Sequence, residues 1–380
     1  MAMIGPLTLN IFQPSMPRLT RELGAPRDIA QLTLSLYIFS MGVAQIVSGP
    51  LADRFGRRPV VLTALGLYVA SSIAGFFAAS LPMLVAARIG QALGATACLG
   101  LSRTVTADLS DRAGTARVIA YTTMAMVIAP MASPNIGATI DEIWGWRTIF
   151  MVCAAAGIAV AVYCLLQLEE TRPGGLTPPT GREVYARSLA LLRNRGFLRY
   201  AALATLGSAC FFTILGATPH LIIEVMQRPP TDYARWFMVM SVGYALGNFA
   251  TGRYTAAIGI DRMISLGNLI QTGGIVIMTG LALVPMMHPA AIFLPAMLVT
   301  LGNGMVLPNA LAAGIQTDRL AAGAATGLAG FAQLLFASVA SYVVLLLPGQ
   351  TALPMALMML GFAVLAQIVL PLSRTSRPDG

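Results

Sequence analysis

Arg88 lies about six residues inside an apolar run predicted as a helix over 82–106, in the stretch ARIGQALGA, with Gln91 three positions further on. An arginine keeps its charge in almost any surroundings, and a fixed charge within a lipid-embedded helix marks a functional position by default. The alternative is an arginine that snorkels to the outer interface or braces neighbouring carbonyls. Asn10 and Gln13, in TLNIFQPSMP, put two carboxamides into another apolar run. Glu224 near the end of ATPHLIIEV has His220 one helical turn before it, an acid and an imidazole that can hold a proton; the alternative is a cap residue of an outer loop. A denser charge group, Asp53 with Arg54, Arg57 and Arg58, sits between two apolar runs. There Asp53 can meet the partial positive charge of a helix N-terminus, or the charges serve only to fix topology. The chemistry on offer is ion pairing and proton carriage.

Covalent catalysis finds little support. The chain contains no lysine, since all 24 basic residues are arginine. That removes the P-loop lysine and Schiff-base chemistry. No HExxH-type ligand set and no carboxylate pair falls inside an apolar run, which argues against a membrane-embedded enzyme. Cys98, Cys153, Cys164 and Cys210 lie in apolar runs without CxxC spacing and read as small packing residues. No catalytic residue, metal ligand or cofactor is expected. The formal charge of +9 points away from nucleic acid once the arginines are assigned to cytoplasmic loops, where they set membrane orientation.

Those residues need a scaffold, and the composition supplies one kind. The chain is 57% hydrophobic and 10% charged over 380 residues, against roughly 25% charged in soluble domains. Apolar segments long enough to cross a bilayer recur near 2–18, 29–51, 59–79, 82–106, 115–138, 147–168, 199–224, 233–257, 262–284, 290–314, 321–347 and 351–372. The expected class is an all-α membrane protein of about twelve spanning helices in two six-helix bundles. The one long polar interruption runs from Glu169 to Leu198, a Pro/Gly linker followed by a basic stretch suited to a surface helix. The expected division is therefore 1–168, a cytoplasmic central loop at 169–198, and 199–380. With both bundles beginning and ending in the cytoplasm, seventeen arginines face inward and six outward, in accord with the positive-inside rule. The C-terminus is then cytoplasmic too. Gly49 and Gly56 after the second run, and Gly252 and Gly259 after the eighth, repeat a seven-residue spacing, as duplicated halves would. The N-terminus lacks the basic region and cleavage site of a secretory leader. From Met1 to Met16 a helix rises only ~24 Å, less than the ~30 Å apolar core, which points to a start further upstream.

The segment GPLADRFGRRPVVL, Gly49 to Leu62, resembles the signature loop of the major facilitator superfamily. The chain also resembles the bicyclomycin/chloramphenicol-resistance (Bcr/CflA-like) branch of drug:proton antiporters. The stretches that carry this are FQPSMP, QLTLSLYIFSMGVAQ, ARIGQALGA with SRTVTADL, APMASPNIG, GWRTIF and ATPHLIIEV. The likeness is clear from Ile11 to about Asn248 and thinner beyond. It implies a secondary transporter of the bacterial inner membrane that exports drugs or small amphipathic compounds in exchange for protons, conferring antibiotic resistance. Two bundles would rock about a midplane cavity. Its partners are a small-molecule substrate, protons and the lipid bilayer, with no nucleic acid.

Resemblance also assigns roles. Arg88 and Gln91 line the cavity, with the arginine assisting coupling. Asp53, Arg54, Arg57, Arg58, Arg103 and Asp108 form a cytoplasmic latch facing the eleventh helix near Ala321, with Gly49 and Gly56 allowing close backbone approach. Such an exposed latch is worth ~1 kcal/mol per contact. Pro130, Pro134 and Gly137 stand for an exporter motif that seals the bundle, although its second glycine is Ala138; a simple proline kink is the alternative. The branch places an acid in the first helix where this chain has Asn10, and none of the fifteen acids falls at the centre of a predicted span. A metabolite exporter or an uncoupled facilitator on the same fold is therefore the rival function. Glu224 is the nearest replacement for the missing acid.

Overall fold

An apolar run in lipid has one simple stable form, the helix, because each backbone N–H and C=O is then satisfied within the segment. The structure, a computed structural model, describes residues 1, 3–24, 26–109, 129, 131–171, 188–284, 288–317, 322–347 and 351–370. At 27, 28, 53, 103, 104, 106–109, 322 and 323 it describes the backbone alone. The chain separates into two compact units, Met1–Pro179 and Thr180–Gly380.

The first unit opens with α1 (Ile4–Ile11), a 3-10 turn at Gln13–Ser15 and α2 (Met16–Glu22). Pro14 and Pro17 lack the N–H that would carry one helix through, so the first apolar run forms three short pieces. The short α3 (Arg27–Ala30) leads into α4 (Leu32–Phe55), α5 (Arg57–Phe76) and α6 (Leu81–Leu109). Helix α7 is described over 131–144, and α8 spans Arg147–Gln167. Most of the expected fifth span, 115–128, together with Pro130, lies outside the described residues.

The second unit begins with α9, a single turn at 188–191, then α10 (Arg195–Pro219), which continues into a π-helical turn at His220–Val225. The expected start of this span at 199 moves forward to Arg195. Asn194 causes the shift: its side-chain oxygen accepts the N–H groups of Gly196 and Phe197 at 2.9 and 3.2 Å, which is N-capping. The basic stretch read as a surface helix is therefore divided between α9 and the first turn of α10. There follow α11 (Pro230–Ile258), α12 (Ile260–Leu283), α13 (Ala290–Gln316), α14 (Ala322–Leu346) and α15 (Leu353–Val369).

Among the described residues eight helices are long and apolar enough to cross a membrane: α4, α5, α6, α8, α10 with its π turn, α12, α13 and α14. Helix α15 is apolar but only 17 residues long. Helix α11 has the length but not the hydropathy, because small and polar residues occupy its packing face. At Gly243 and Gly247 any Cβ would strike the backbone carbonyls of Met297 and Leu301 on α13, so the two helices meet through bare backbone. Outward-facing Phe249 and Leu269 are exposed, as lipid-facing side chains are. The first unit buries Ile11, Val61, Leu65, Cys98 and Ile149 in one cluster and Phe12, Leu19, Leu84, Trp146 and Phe150 in another. The second buries Leu203, Ile264, Val306 and Ala310. All four cysteines are buried and unpaired.

The seven-residue glycine repeat has a physical content that spacing alone does not reveal. Gly56 joins α4 to α5 with φ 99° and ψ 158°, and Gly259 joins α11 to α12 with φ 86° and ψ 154°. Only glycine adopts such angles without strain. Gly49 and Gly252 are different: no described atom stands within 4 Å of where their Cβ would be. The close backbone approach expected of Gly49 concerns a latch partner near Ala321, which lies outside the described residues.

Candidate functional site

Arg88 is 1% exposed, which excludes the snorkelling alternative. Its guanidinium lies over the ring of Tyr37 at 4.0 Å and that of Phe12 at 4.9 Å. Desolvated stacking of this kind contributes about 2 kcal/mol. One terminal nitrogen donates to the backbone oxygen of Thr8 at 3.2 Å and to Oε1 of Gln91 at 3.1 Å. The side-chain Nε has no hydrogen-bond partner among the described residues.

A closed circuit of hydrogen bonds surrounds this cation. Gln91, itself fully buried, donates through Nε2 to Oγ of Ser72 at 2.8 Å. Ser72 in turn donates to the backbone oxygen of Tyr68 at 2.7 Å. The Thr8 hydroxyl donates to the oxygen of Ile4 at 2.7 Å. Its one proton being used there, the 2.6 Å contact between Thr8 and Tyr68 must take its proton from the tyrosine. Arg88 on α6, Ser72 and Tyr68 on α5 and Thr8 on α1 are thus held in register. The circuit also fixes which end of the Gln91 amide faces which neighbour. Thr8, Tyr37, Tyr68 and Ser72 escaped the sequence reading, because a hydroxyl within an apolar run carries no signal of its partner.

Asn10 and Gln13 are each 2% exposed. Asn10 donates from Nδ2 to the oxygen of Pro6 at 2.8 Å. The amide oxygens of both Asn10 and Gln13 are buried with no hydrogen-bond partner among the described residues. A buried acceptor without a donor costs about 1–3 kcal/mol, so each is a ready place for a donor to bind. Gly137 packs α7 onto α1, for a Cβ there would collide with the carbonyl oxygen of Ile11. Pro134 is buried in the same helix.

At the expected latch the structure brings forward an unexpected acid. Glu170 accepts the backbone N–H groups of Arg57 and Arg58 at 2.8 and 3.2 Å, one on each carboxylate oxygen. This glutamate closes the N-terminus of α5. Arg58 also donates to the oxygen of Leu165 at 3.0 Å, and Arg54 stacks on Phe55 at 5.2 Å. The side chains of Asp53, Arg103 and Asp108, and residue Ala321, lie outside what is described.

A second cluster, also unforeseen, ties α2, α7 and α8 together. Arg18 meets Glu22 at 2.8 Å, and Asp141 at its backbone oxygen (2.6 Å) and carboxylate (3.2 Å). Glu22 also accepts from the indole of Trp146 at 2.8 Å and from Arg147 at 3.3 Å. Burial pushes the Glu22 carboxyl upward, but the bonds from Trp146 and Arg18 and the neighbouring positive charges outweigh it and hold the group below its ordinary range. Asp141, 2% exposed, goes the other way. Its burial outweighs the neighbouring Arg18 and raises it. The motif GWRTIF, which carried part of the resemblance, supplies Trp146 and Arg147.

In the second unit Glu224 lies on the π turn, its Oε2 2.9 Å from Nδ1 of His220. A separate buried polar group lies among α10, α12 and α13. Gln271 donates to the oxygen of Gly207 at 3.2 Å, and the Asn303 amide oxygen stands 3.2 Å from where a Cβ on Gly207 would be. Gln333 donates to Ser208 at 2.8 Å.

Comparison with known proteins agrees with this architecture. The sequence model described as Major Facilitator Superfamily matches residues 1–341. The chain is 26% identical over 376 residues to the uncharacterized MFS-type transporter YdgK of Bacillus subtilis, covering 97% of this chain and 92% of that one. It is 26% identical over 335 residues to the multidrug resistance protein MdtL of Escherichia coli, covering 88% and 83%. The crystal structure of a bacterial homolog of the human lysosomal transporter Spinster, inward-facing and unoccupied, superposes with a TM-score of 0.72. That match has 15% identity and covers 98% of this chain and 95% of the other.

Proposed function

The chain belongs to the Major Facilitator Superfamily and is a multi-pass membrane transporter rather than an enzyme, and from that premise we propose that it exports small amphipathic compounds in exchange for protons. The proposal places it in the Bcr/CflA-like branch and in the bacterial inner membrane, with the turn after α4 and the C-terminus in the cytoplasm. Transport proceeds by alternating access, a binding site opening to one side of the membrane and then the other.

The observation that carries this reading is Arg88. A fully buried guanidinium, stacked on two rings and held by a carbonyl and an amide, is too costly to keep for packing alone. The multidrug resistance name of a relative 26% identical supports the substrate class. The test is accumulation of ethidium in cells making the chain. Expression lowers accumulation and a protonophore restores it; efflux that persists unchanged without the proton gradient rejects antiport.

Asn10 favours a second reading. A carboxamide cannot carry a proton, so the first helix has no titratable group at the position where the branch has one. A facilitator or metabolite exporter without proton coupling would show the same efflux with and without the gradient.

A further inference from the structure

If protons drive this transporter, some group other than Asn10 must carry them. Two carboxylates lie within the eight candidate spans, Glu224 and Asp261. Asp261 is exposed at the second position of α12 and accepts the Tyr200 hydroxyl at 2.9 Å. Glu224 closes the span Arg195–Val225, the most buried of the eight, and faces an imidazole. The two side chains are 17% and 23% exposed and 2.9 Å apart, enclosed enough to stay together and open enough for a proton to reach them.

The backbone around the pair is irregular in a way that fixes it. Pro219 removes an N–H from the helix. The chain then widens into a π turn over His220–Val225, with the N–H of Met226 bonding the oxygen of Leu221 at 2.9 Å. Such insertions occur mostly at functional sites. Gln227 follows at φ 53°, a left-handed angle for a residue with a side chain. Its amide donates to the backbone oxygen of Glu224. The left-handed residue is thus bonded to the backbone of Glu224.

We propose that the coupled proton is carried by the His220–Glu224 pair at the end of the seventh span. The inference rests on the proton-coupled reading above and gives it a site. With glutamate ionised and histidine neutral the pair has one negative charge. One proton adds to it, forming an N–H bond on the imidazole and leaving a neutral ion pair; loss of that proton to the other side restores the charge. One proton enters for each substrate that leaves, and no other bond changes.

The turn packs against α10 and α11. Between Phe211 and Pro219, α10 has no ionisable side chain. The near end of α11 brings Asp232, Tyr233 and Arg235, with Arg228 in the link before it. Asp232 is paired with Arg228 at 3.9 Å, and Tyr233 is fully buried.

The test uses the full chain in proteoliposomes with ethidium as the probe, comparing wild type, E224Q and H220Q. Flux driven by a pH gradient falls in either variant to the rate measured without a gradient, because a glutamine side chain takes up no proton. Both variants are expected to unfold in detergent at the wild-type midpoint, which separates lost coupling from lost fold. Gradient-driven flux at the wild-type rate in either variant overturns the inference. A wild type that ignores the gradient rejects the proton-coupled function instead, and a second measurement then decides the inference. The infrared difference spectrum between acid and neutral pH contains imidazole bands that H220Q removes and that E224Q shifts in frequency, because the ring has lost its carboxylate partner. Imidazole bands unchanged in E224Q show two independent groups and overturn the proposal, whether or not a variant transports.

Discussion

Glu170 accepts the backbone N–H of Arg57 at 2.8 Å, and with its other oxygen that of Arg58 at 3.2 Å, so an acid 113 positions away in sequence closes the start of α5. Gly56 makes this contact possible. It turns the chain at φ 99°, and a Cβ there would stand 2.6 Å from the carboxylate. Replacing Glu170 by Ala exposes two helix-end donors and is expected to cost about 1 kcal/mol, the usual scale of an N-cap. Replacing Gly56 by Ala costs about 1–3 kcal/mol from backbone angle alone, plus the collision. Thermal unfolding in detergent of both single variants and the double variant separates the two terms: removing the Glu170 side chain relieves the collision but not the angle. Equal and additive losses would show that the contact is not made.

Arg88 and Tyr37 give the second prediction. Lysine in place of Arg88 keeps the charge but loses the flat face that stacks at 4.0 Å and the rigid planar group that holds one nitrogen against both Thr8 and Gln91. R88K is expected to fold and to lose roughly tenfold or more in ethidium efflux, about 1.4 kcal/mol. R88A leaves the Thr8 and Gln91 oxygens without their donor at about 1–3 kcal/mol each, so it loses stability as well. Unfolding midpoints alongside efflux rates distinguish the two; an R88K chain with wild-type efflux removes the arginine from the site.

Much of the scaffold was legible before any coordinates. Ends marked by Gly56, Gly259 and Pro230 agree with the expected spans within a few residues, because a helix break needs a residue of special backbone chemistry and sequence displays it. Arg88 was legible for a similar reason: a charge inside an apolar run is conspicuous. Its partners were not. Thr8, Tyr68 and Ser72 are ordinary span residues until α1, α5 and α6 close around Arg88. Glu170 was read as part of a polar loop, since nothing in its neighbours betrays that it folds back onto α5. The Glu22–Trp146 bond links residues 124 apart, a separation that local pattern does not span.

That bond underlies a pH prediction with two opposing signs. Glu22 is held below its ordinary value of 4.5, so the unfolded chain binds its proton first as pH falls. The stability it contributes is complete above about that value and is lost as pH drops through the lower folded value. Asp141 is raised above its ordinary 3.8. Its folded form takes up the proton first, so acidification through the raised value stabilises the fold. E22Q is therefore expected to flatten the acid loss of stability, and D141N to remove the opposing gain and steepen the net loss. Unfolding midpoints of the purified chain across the acid range check this; parallel shifts of the two variants would contradict it.

Gly137 supplies a packing prediction. Any side chain at this position meets the carbonyl oxygen of Ile11, and backbone does not yield as a flexible side chain would. G137A is expected to push α7 from α1 and cost about 1–3 kcal/mol, the range for overpacking. Ala138, which is fully buried, is the control: A138G removes a methyl and costs about 1 kcal/mol from helix propensity without moving α1. Detergent unfolding measures both, and because α1 contributes Thr8 to the Arg88 circuit, G137A alone should also slow efflux. Equal efflux in the two variants would separate the packing of α1 from the site.

The last prediction concerns Asn10. Its Nδ2 donates to Pro6 while Oδ1 has no hydrogen-bond partner among the described residues, so the amide is held by one end. Aspartate has nearly the same shape, and in its protonated form it can still donate to the Pro6 oxygen. Ionised, it places a negative charge on the same helix that offers its Thr8 carbonyl to Arg88. N10D thus installs a group whose charge changes with pH where the wild type has one that never changes. In the E224Q background, expected to have lost gradient-driven flux, N10D should restore part of that flux while leaving gradient-free exchange unaltered. The measurement is ethidium movement in proteoliposomes with and without a pH gradient. A double variant that remains insensitive to the gradient would mean that a titratable group at position 10 has no path for its proton, and that the first helix of this chain cannot be made to couple by chemistry at that position alone.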